Sequence, residues 1–219
     1  MTSLETPADA QAVRGVEYWR ARARELGPHA VLSTDHGGAD VDAVSAAHRA
    51  HLLPTVAALL GFAPGPQRTA LDLGCGTGRL TADLAALVGG RAIGVDPVAE
   101  LLAQAPSTPG VTFRELERVD APLPLADGEV DLAFTCLVLG GIAEPSALAA
   151  LGAELERVLA PGGLVVLAES VSEQPSVGHW TFRAVADYAV ALPWAGLQEV
   201  ARFDDAGDAV SVMAGRKQG

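Results

Sequence analysis

Apolar and polar residues follow two different rhythms along this chain. Toward the N-terminus the helical rhythm dominates. From Val16, "VEYWRARARELG" predicts a helix that ends at Gly27, with Pro28 behind it as a stop signal. "LSTDHGGAD" reads as a loop. "DVDAVSAAHRAHLLPTVAALLGF" reads as a second helix that Pro54 should break or kink, and "APGPQ" as a turn. Beyond it come short apolar runs bounded by turn residues, the pattern of buried strands: "RTALDLG", "RAIGVD", "VTFRE", "EVDLAFTCLVL" and "LVVLAES". Helical stretches lie between them. "RLTADLAALVG" carries Leu80, Leu84, Leu87 and Val88 at helical spacing, and "PVAELLAQA" opens with a proline suited to a first turn. "EPSALAALGAELERVLAPGG" puts Leu148, Leu151, Leu155, Val158 and Leu159 on one face before Pro161 and Gly162 end it.

Strand and helix alternating at spacings too long for hairpins predict a parallel sheet covered on both faces by right-handed crossovers. The tail departs from this. A helix around Trp180 to Leu192 is followed by two strand-like runs flanking "DDAGD", a hairpin signal, so an antiparallel pair should close one edge. No repeat, low-complexity tract or linker of domain-boundary quality interrupts the chain. The expected architecture is a doubly wound α/β fold of Rossmann type with an antiparallel C-terminal hairpin strand.

Composition narrows the partners. The 219 residues are 49 % hydrophobic, and the formal net charge is −12. Lys217 is the only lysine and the arginines are scattered, so no basic footprint for nucleic acid or for an anionic membrane surface exists. No apolar run of about 18 residues predicts a membrane span. Cys75 and Cys136 lie far apart without metal-ligand spacing, which excludes a disulfide framework and leaves a reducing, cytoplasmic setting. The first ten residues are polar with Pro7 and should be loose, and "MTSLETPADAQAVRG" lacks the apolar core of a signal peptide. Alanine and arginine richness with one lysine suggests a GC-rich bacterial genome.

The stretch that carries chemistry is "ALDLGCGTGRL", Ala70 to Leu80. Ligands of open parallel sheets sit beyond the carboxyl ends of the strands, and this glycine turn falls there. Gly74, Gly76 and Gly78 permit close backbone approach. The spacing is not that of a dinucleotide fingerprint, because Arg79 stands where the third glycine belongs, and the Walker pattern is absent. Asp72 precedes the first glycine by two residues. Facing a pyrophosphate in a partly dry crevice, its carboxylate would cost on the order of several kcal/mol, whereas an ammonium or sulfonium would be welcome. Asp96 ends the second strand, where an acid accepts both ribose hydroxyls. A ligand with a ribose, an amino-acid end and no phosphate is implied, and S-adenosylmethionine meets all three conditions.

With "LDLGCGTGRL", "GVDP", "PLADGEVDLAF" and "ELERVLAPGGLVVLAE" in order over roughly Thr69 to Ser170, the chain resembles the class I S-adenosylmethionine-dependent methyltransferases. The resemblance implies a seven-stranded sheet whose last strand inserts antiparallel. It also implies that residues 1–67 form a helical cap belonging to the same domain as the 68–219 core. By the same resemblance Asp72, Gly74, Cys75 and Gly76 hold the methionine end, Asp96 takes the ribose, and Pro97 with Val98 borders the adenine. Asp120–Ala121 is the candidate pair for the adenine amine, with Glu117 as the alternative. Thr135 and Cys136 line the sulfonium end, and Tyr18 reaches from the cap to the methionine carboxylate. Where many relatives carry a polar or imidazole side chain after the fourth strand, this chain has Gly140 and Gly141, which either make room for a bulky acceptor or shape a turn.

Methyl transfer from a sulfonium needs a base only when the acceptor loses a proton. His179, beside Trp180, Phe182 and Tyr188, and His36 are the candidates for that role; capping or surface roles are the alternatives. His48 and His51 share a helix face but two ligands do not make a metal site, and no metal is expected. Trp19, Trp180 and Trp194 read as packing residues. The expected function is methyl transfer from S-adenosylmethionine, with S-adenosylhomocysteine as product, to a small-molecule acceptor such as a bacterial secondary metabolite. Monomer and homodimer both fit. The alternatives are a protein that binds these nucleosides as a partner subunit or scaffold without transferring methyl, and a nicotinamide-dependent oxidoreductase, which Asp72 disfavours.

Overall fold

The computed structural model describes residues 15–171, 176 and 179–218. The N-terminal segment expected to be loose, and with it the signal-peptide reading, lies almost wholly outside them. The elements run α1 (Val16–Leu26), α2 (Val41–Leu59), β1 (Thr69–Leu73), α3 (Thr81–Val88), β2 (Arg91–Asp96), α4 (Ala99–Leu102), β3 (Val111–Glu115), β4 (Val130–Cys136), α5 (Pro145–Val158), β5 (Leu159–Ser170), α6 (Val185–Ala191), β6 (Gln198–Asp205) and β7 (Asp208–Arg216). Seven strands form one sheet in the order β3-β2-β1-β4-β5-β7-β6. β1 pairs parallel with β2 and β4, and β4 with β5, while β7 is antiparallel to both β5 and β6. The doubly wound expectation and the inserted last strand are both realised.

Side-chain alternation divides the core between the faces. Leu71, Leu73, Ile93 and Val95 point to one side, where Leu148, Leu151 and Leu155 of α5 and Tyr188 of α6 cover them. Ala70, Ala92, Leu132 and Phe134 point to the other, against α3 and α2. The N-terminal segment is therefore split. α2 is a layer helix whose Leu52 and Val56 are fully buried in the sheet core. α1 instead packs on α4, with Ala23 and Ala30 against Val98 and Leu101. No helix among the described residues is long and apolar enough to cross a membrane.

Several boundaries differ from the sequence expectations. α2 runs unbroken through Pro54. An interior proline costs a helix about 3 kcal/mol, and burial of Leu52 and Val56 on either side offsets it. Leu159, expected on the α5 face, is the first residue of β5: its backbone is extended and it pairs with Val130. The helix expected from Trp180 begins only at Val185. The residues before it are tied to the turn after β4, where Thr181 N–H donates to the Gly140 carbonyl at 2.7 Å and Arg183 donates to the carbonyls of Leu139 and Ile142.

Candidate functional site

Strand order reverses between β1 and β4, and a cleft opens beyond their carboxyl ends, where such folds bind ligands. Its walls come from the glycine turn (Gly74, Cys75, Gly76, Arg79), the end of β2 and its sequel (Asp96, Pro97, Val98, Leu101), Leu116 and Val119, the turn after β4 (Cys136 to Val138, Gly141) and α1 (Val16, Trp19). Counted out to its open mouth the space is about 900 Å³, within the range of small-molecule sites.

The glycine turn is built for backbone proximity. Gly74 has φ 71° and Gly76 φ 55°, and a Cβ at Gly76 would come within 2.7 Å of Val31. Its N–H groups are already committed. Gly74 and Cys75 donate to the Val95 carbonyl, Gly78 donates to the Cys75 carbonyl, and Gly76 donates to Asp96 Oδ2 at 2.9 Å. A pyrophosphate would find these four donors taken, so the turn is not the anion nest of a dinucleotide site.

Asp96 is 6 % exposed and lines the cleft. Oδ1 accepts from Val98 N–H at 2.8 Å and Oδ2 from Gly76. Each oxygen keeps one further lone pair for a ligand hydroxyl. Burial raises its pKa to about 6, opposed by those two backbone bonds.

Asp72 occupies a different place from the one its spacing suggests. On β1 it shares the face of Ala70, not that of Leu71 and Leu73, so its side chain turns away from the cleft toward α3. Thr81 Oγ1 donates to it at 2.6 Å, and burial raises its pKa to about 6. Its charge acts on the cleft from beneath the turn, not by contact. Asp120 is solvent-exposed and paired with Arg118 at 2.9 Å, which holds its carboxyl below the usual range. Ala121 is buried in the core, Glu117 is exposed, and Leu116 and Val119 supply the wall there. Thr135 is fully buried and donates to Glu169, while Cys136 lines the cleft with its thiol pushed up to about 12 by burial.

Sequence reasoning passed over two residues. Arg79 stood out only as a missing glycine, yet it is the one guanidinium on the cleft wall among the described residues. It donates to His48 Nδ1 at 2.8 Å and approaches Cys136 Sγ at 3.9 Å. Glu169, fully buried, accepts from Thr135 Oγ1 at 2.8 Å and from the N–H groups of Val138 and Leu139 at 3.1–3.2 Å. It braces the turn that begins at Leu137, whose φ of 58° is unusual for leucine. The signal for Glu169 was an acid at the end of an otherwise apolar strand.

A second compartment adjoins the first, with Trp19, Val31 and Leu137 as the shared wall. His179 lines it and stacks on Tyr18 at 3.8 Å, so Tyr18 lies behind the imidazole and off the cleft wall. Burial, then Arg22, lowers the His179 pKa. His36 does not line either space. Its Nε2 lies 2.9 Å from Asp205 Oδ1, the same oxygen that His48 Nε2 meets at 2.8 Å. Arg79 can only donate, so His48 Nδ1 accepts and its Nε2–H donates to Asp205. His36, His48 and Asp205 converge closely enough for a cation, but a metal at His48 Nε2 would have to displace that proton and break the Arg79 bond.

Gly140 and Gly141 seat the protein's own indoles. A Cβ at Gly140 would overlap Trp180, and one at Gly141 would sit 3.2 Å from Trp19 Nε1. Gly140→Ala is expected to destabilise the fold by about 1–3 kcal/mol through overpacking and to shift tryptophan emission. Denaturant titration followed by fluorescence reads both, and an unaltered spectrum and midpoint would refute the seating.

The sheet order is that of an open, doubly wound α/β fold with an antiparallel last strand, and its glycine turn faces an acid at the end of β2. Residues 70–163 match the family model described as a methyltransferase domain. An uncharacterised 37.1 kDa protein of a Streptomyces fradiae transposon is 43 % identical over 48 % of this chain and 30 % of its own length. An uncharacterised methyltransferase of Mycobacterium ulcerans is 38 % identical over 51 % of this chain and 43 % of its own. The chain thus spans less than half the length of these curated relatives. Among solved structures, a putative methyltransferase complexed with the Haloferax volcanii Trm112 activator superposes with a TM-score of 0.65 at 22 % identity. The match covers 95 % of this chain and all of that one, and shows the common fold.

Proposed function

We propose that the chain is an S-adenosylmethionine-dependent methyltransferase acting on a small-molecule acceptor held in the second compartment. The observation that carries this is the state of the glycine turn: its donors are spent inside the protein, while Asp96 keeps lone pairs for a diol. Asp96 takes the two ribose hydroxyls. Pro97, Val98, Leu116 and Val119 give the adenine an apolar slot. Gly74, Cys75 and Gly76 let the backbone lie against the amino-acid end, Asp72 makes the ground beneath it negative, and Arg79 holds its carboxylate. These groups fit a cationic nucleoside without phosphate.

When bound, the sulfonium would supply an activated methyl group, with the neutral thioether as the leaving group that keeps the electron pair of the S–CH3 bond. The chain's own contribution is placement and exclusion of water. Glu169 fixes the turn that carries Leu137 and Val138, and Trp19 with Leu137 closes the wall between the two spaces. Where the acceptor must lose a proton, His179 is the group to take it: its lowered pKa keeps the ring ready to accept at neutral pH, and Tyr18 fixes the ring plane. Both cysteines are free thiols, which fits a reducing cytoplasmic setting.

Calorimetric titration tests the reading. S-adenosylmethionine and S-adenosylhomocysteine are expected to bind and NAD to fail, and label from the methyl group should appear on an acceptor. Binding of NAD alone overturns the proposal. Binding of both nucleosides without any transfer supports the non-transferring alternative.

A further inference from the structure

The second compartment has two unlike ends. Toward the cofactor cleft it is aromatic and aliphatic, with Trp19, Trp180, Phe182 and Leu137. The other end holds Asp35, Asp205 and Asp208, none of which lines the cofactor cleft. Its only cation among the described residues, Arg22, is engaged elsewhere: it donates to the carbonyls of Ala30 and Leu32 and toward the Tyr18 hydroxyl. Asp35 meets only Ser33 Oγ at 3.1 Å, and no cation pairs with Asp35 or Asp208 among the described residues. Asp205 already meets His36 and His48 through Oδ1, while burial, then the neighbouring Asp35, Asp205 and Asp204, pushes the Asp208 carboxyl up. An independent observation comes from β5. Ser170 lines the same compartment, is 3 % exposed, and its buried Oγ has no hydrogen-bond partner among the described residues. It pairs with Val210 in the sheet, close in sequence to Asp208. Buried hydroxyls are nearly always satisfied, and of the orphaned ones, Ser45, Ser170 and Tyr188, only Ser170 borders the compartment, where a ligand atom would complete its set.

We infer that the acceptor carries a protonated amine on an aromatic or alicyclic body, with the ammonium anchored among Asp35, Asp205 and Asp208 beside Ser170 and the ring system against Trp19, Trp180 and Phe182. Aromatic faces and carboxylates are the two surfaces that recognise an organic cation. The amine is the anchor and is not itself methylated. The atom that receives the methyl group lies toward Leu137, where the compartments meet, and its proton departs to water or to His179. This rests on the reading of the first cleft as the nucleoside site.

The experiment uses the full chain saturated with S-adenosylhomocysteine and three probes with one ring system: tryptamine, 3-methylindole and indole-3-acetate. Tryptamine is expected to bind at least about tenfold more tightly than 3-methylindole, with indole-3-acetate weakest. Asp208→Asn and Asp35→Asn should each cut tryptamine affinity by about threefold to tenfold while S-adenosylhomocysteine affinity and the unfolding midpoint stay unchanged. Equal binding of the three probes, no binding of any of them up to about 10 mM, or indifference of tryptamine to both substitutions overturns the inference. If S-adenosylhomocysteine itself fails to bind, the parent reading falls instead, so the two failures are distinguishable.

Discussion

Replacing Asp96 with alanine is expected to abolish measurable S-adenosylmethionine binding at micromolar concentrations, with a loss on the order of 10²–10⁴-fold. Two hydrogen bonds from ribose hydroxyls to a charged acceptor are removed, each contributing about 1.5–3 kcal/mol. The carboxylate also fixes Gly76 and Val98 through their N–H groups, so the floor of the ribose site and the edge of the adenine slot loosen together. Asp96→Asn is the sharper variant. Its amide presents two hydrogens at one position, and one of the two backbone donors would face them. Calorimetry with S-adenosylhomocysteine and its 2′-deoxy analogue checks the assignment. Wild-type protein should prefer the ribose form by at least about tenfold, and the Asp96 variants should bind both equally weakly. A variant that keeps the preference would show that another group holds the ribose.

The second large effect concerns stability. Glu169→Ala leaves Thr135 Oγ1 and the N–H groups of Val138 and Leu139 without a partner in a fully buried site. The expected cost is about 3–5 kcal/mol, and the turn that walls both compartments should lose its shape with it. Glu169→Gln retains an acceptor oxygen and should cost less. Burial raises the Glu169 pKa from 4.5 to about 7 against the pull of Thr135 and the backbone donors. A raised folded-state pKa means that the folded chain binds the proton more tightly. That contribution to stability is complete below about pH 4.5 and fades as pH rises through 7. Glu169→Gln cannot titrate, so its disadvantage relative to wild type should shrink by on the order of 2 kcal/mol between pH 5 and pH 8. Denaturant unfolding at the two pH values measures this. A constant gap would place Glu169 ionised throughout.

Much of the fold and of the ribose acid is legible in the sequence, because the signals are local. The run from Ala70 to Leu80 announces a strand, a backbone-close turn and a helix, and Asp96 at the end of the next apolar run follows from the same logic. What was lost depended on side-chain direction and on distant partners. Asp72 lies next to the glycine turn in sequence, but strand alternation sends it to the opposite face. Asp120 is held outward by Arg118, an association two residues apart that composition does not weigh. Leu159 is apolar in either a helix or a strand, so only its pairing with Val130 decides its place. Trp180 continues an apolar pattern into α6, yet Gly140, far back in the chain, holds its neighbour Thr181 in an extended link. Arg79 was visible only as a departure from a glycine pattern, and its bond to His48 joins the turn to α2.

The wall formed by Trp19, Val31 and Leu137 belongs to both compartments, and this has a thermodynamic consequence. A guest on one side that presses on these side chains alters what the other side offers. Whatever factor the nucleoside applies to the second guest's affinity, the second guest must return to the nucleoside unchanged. Any coupling between the two guests is thereby routed through three residues, and measuring either affinity with and without the other partner reads the same number twice.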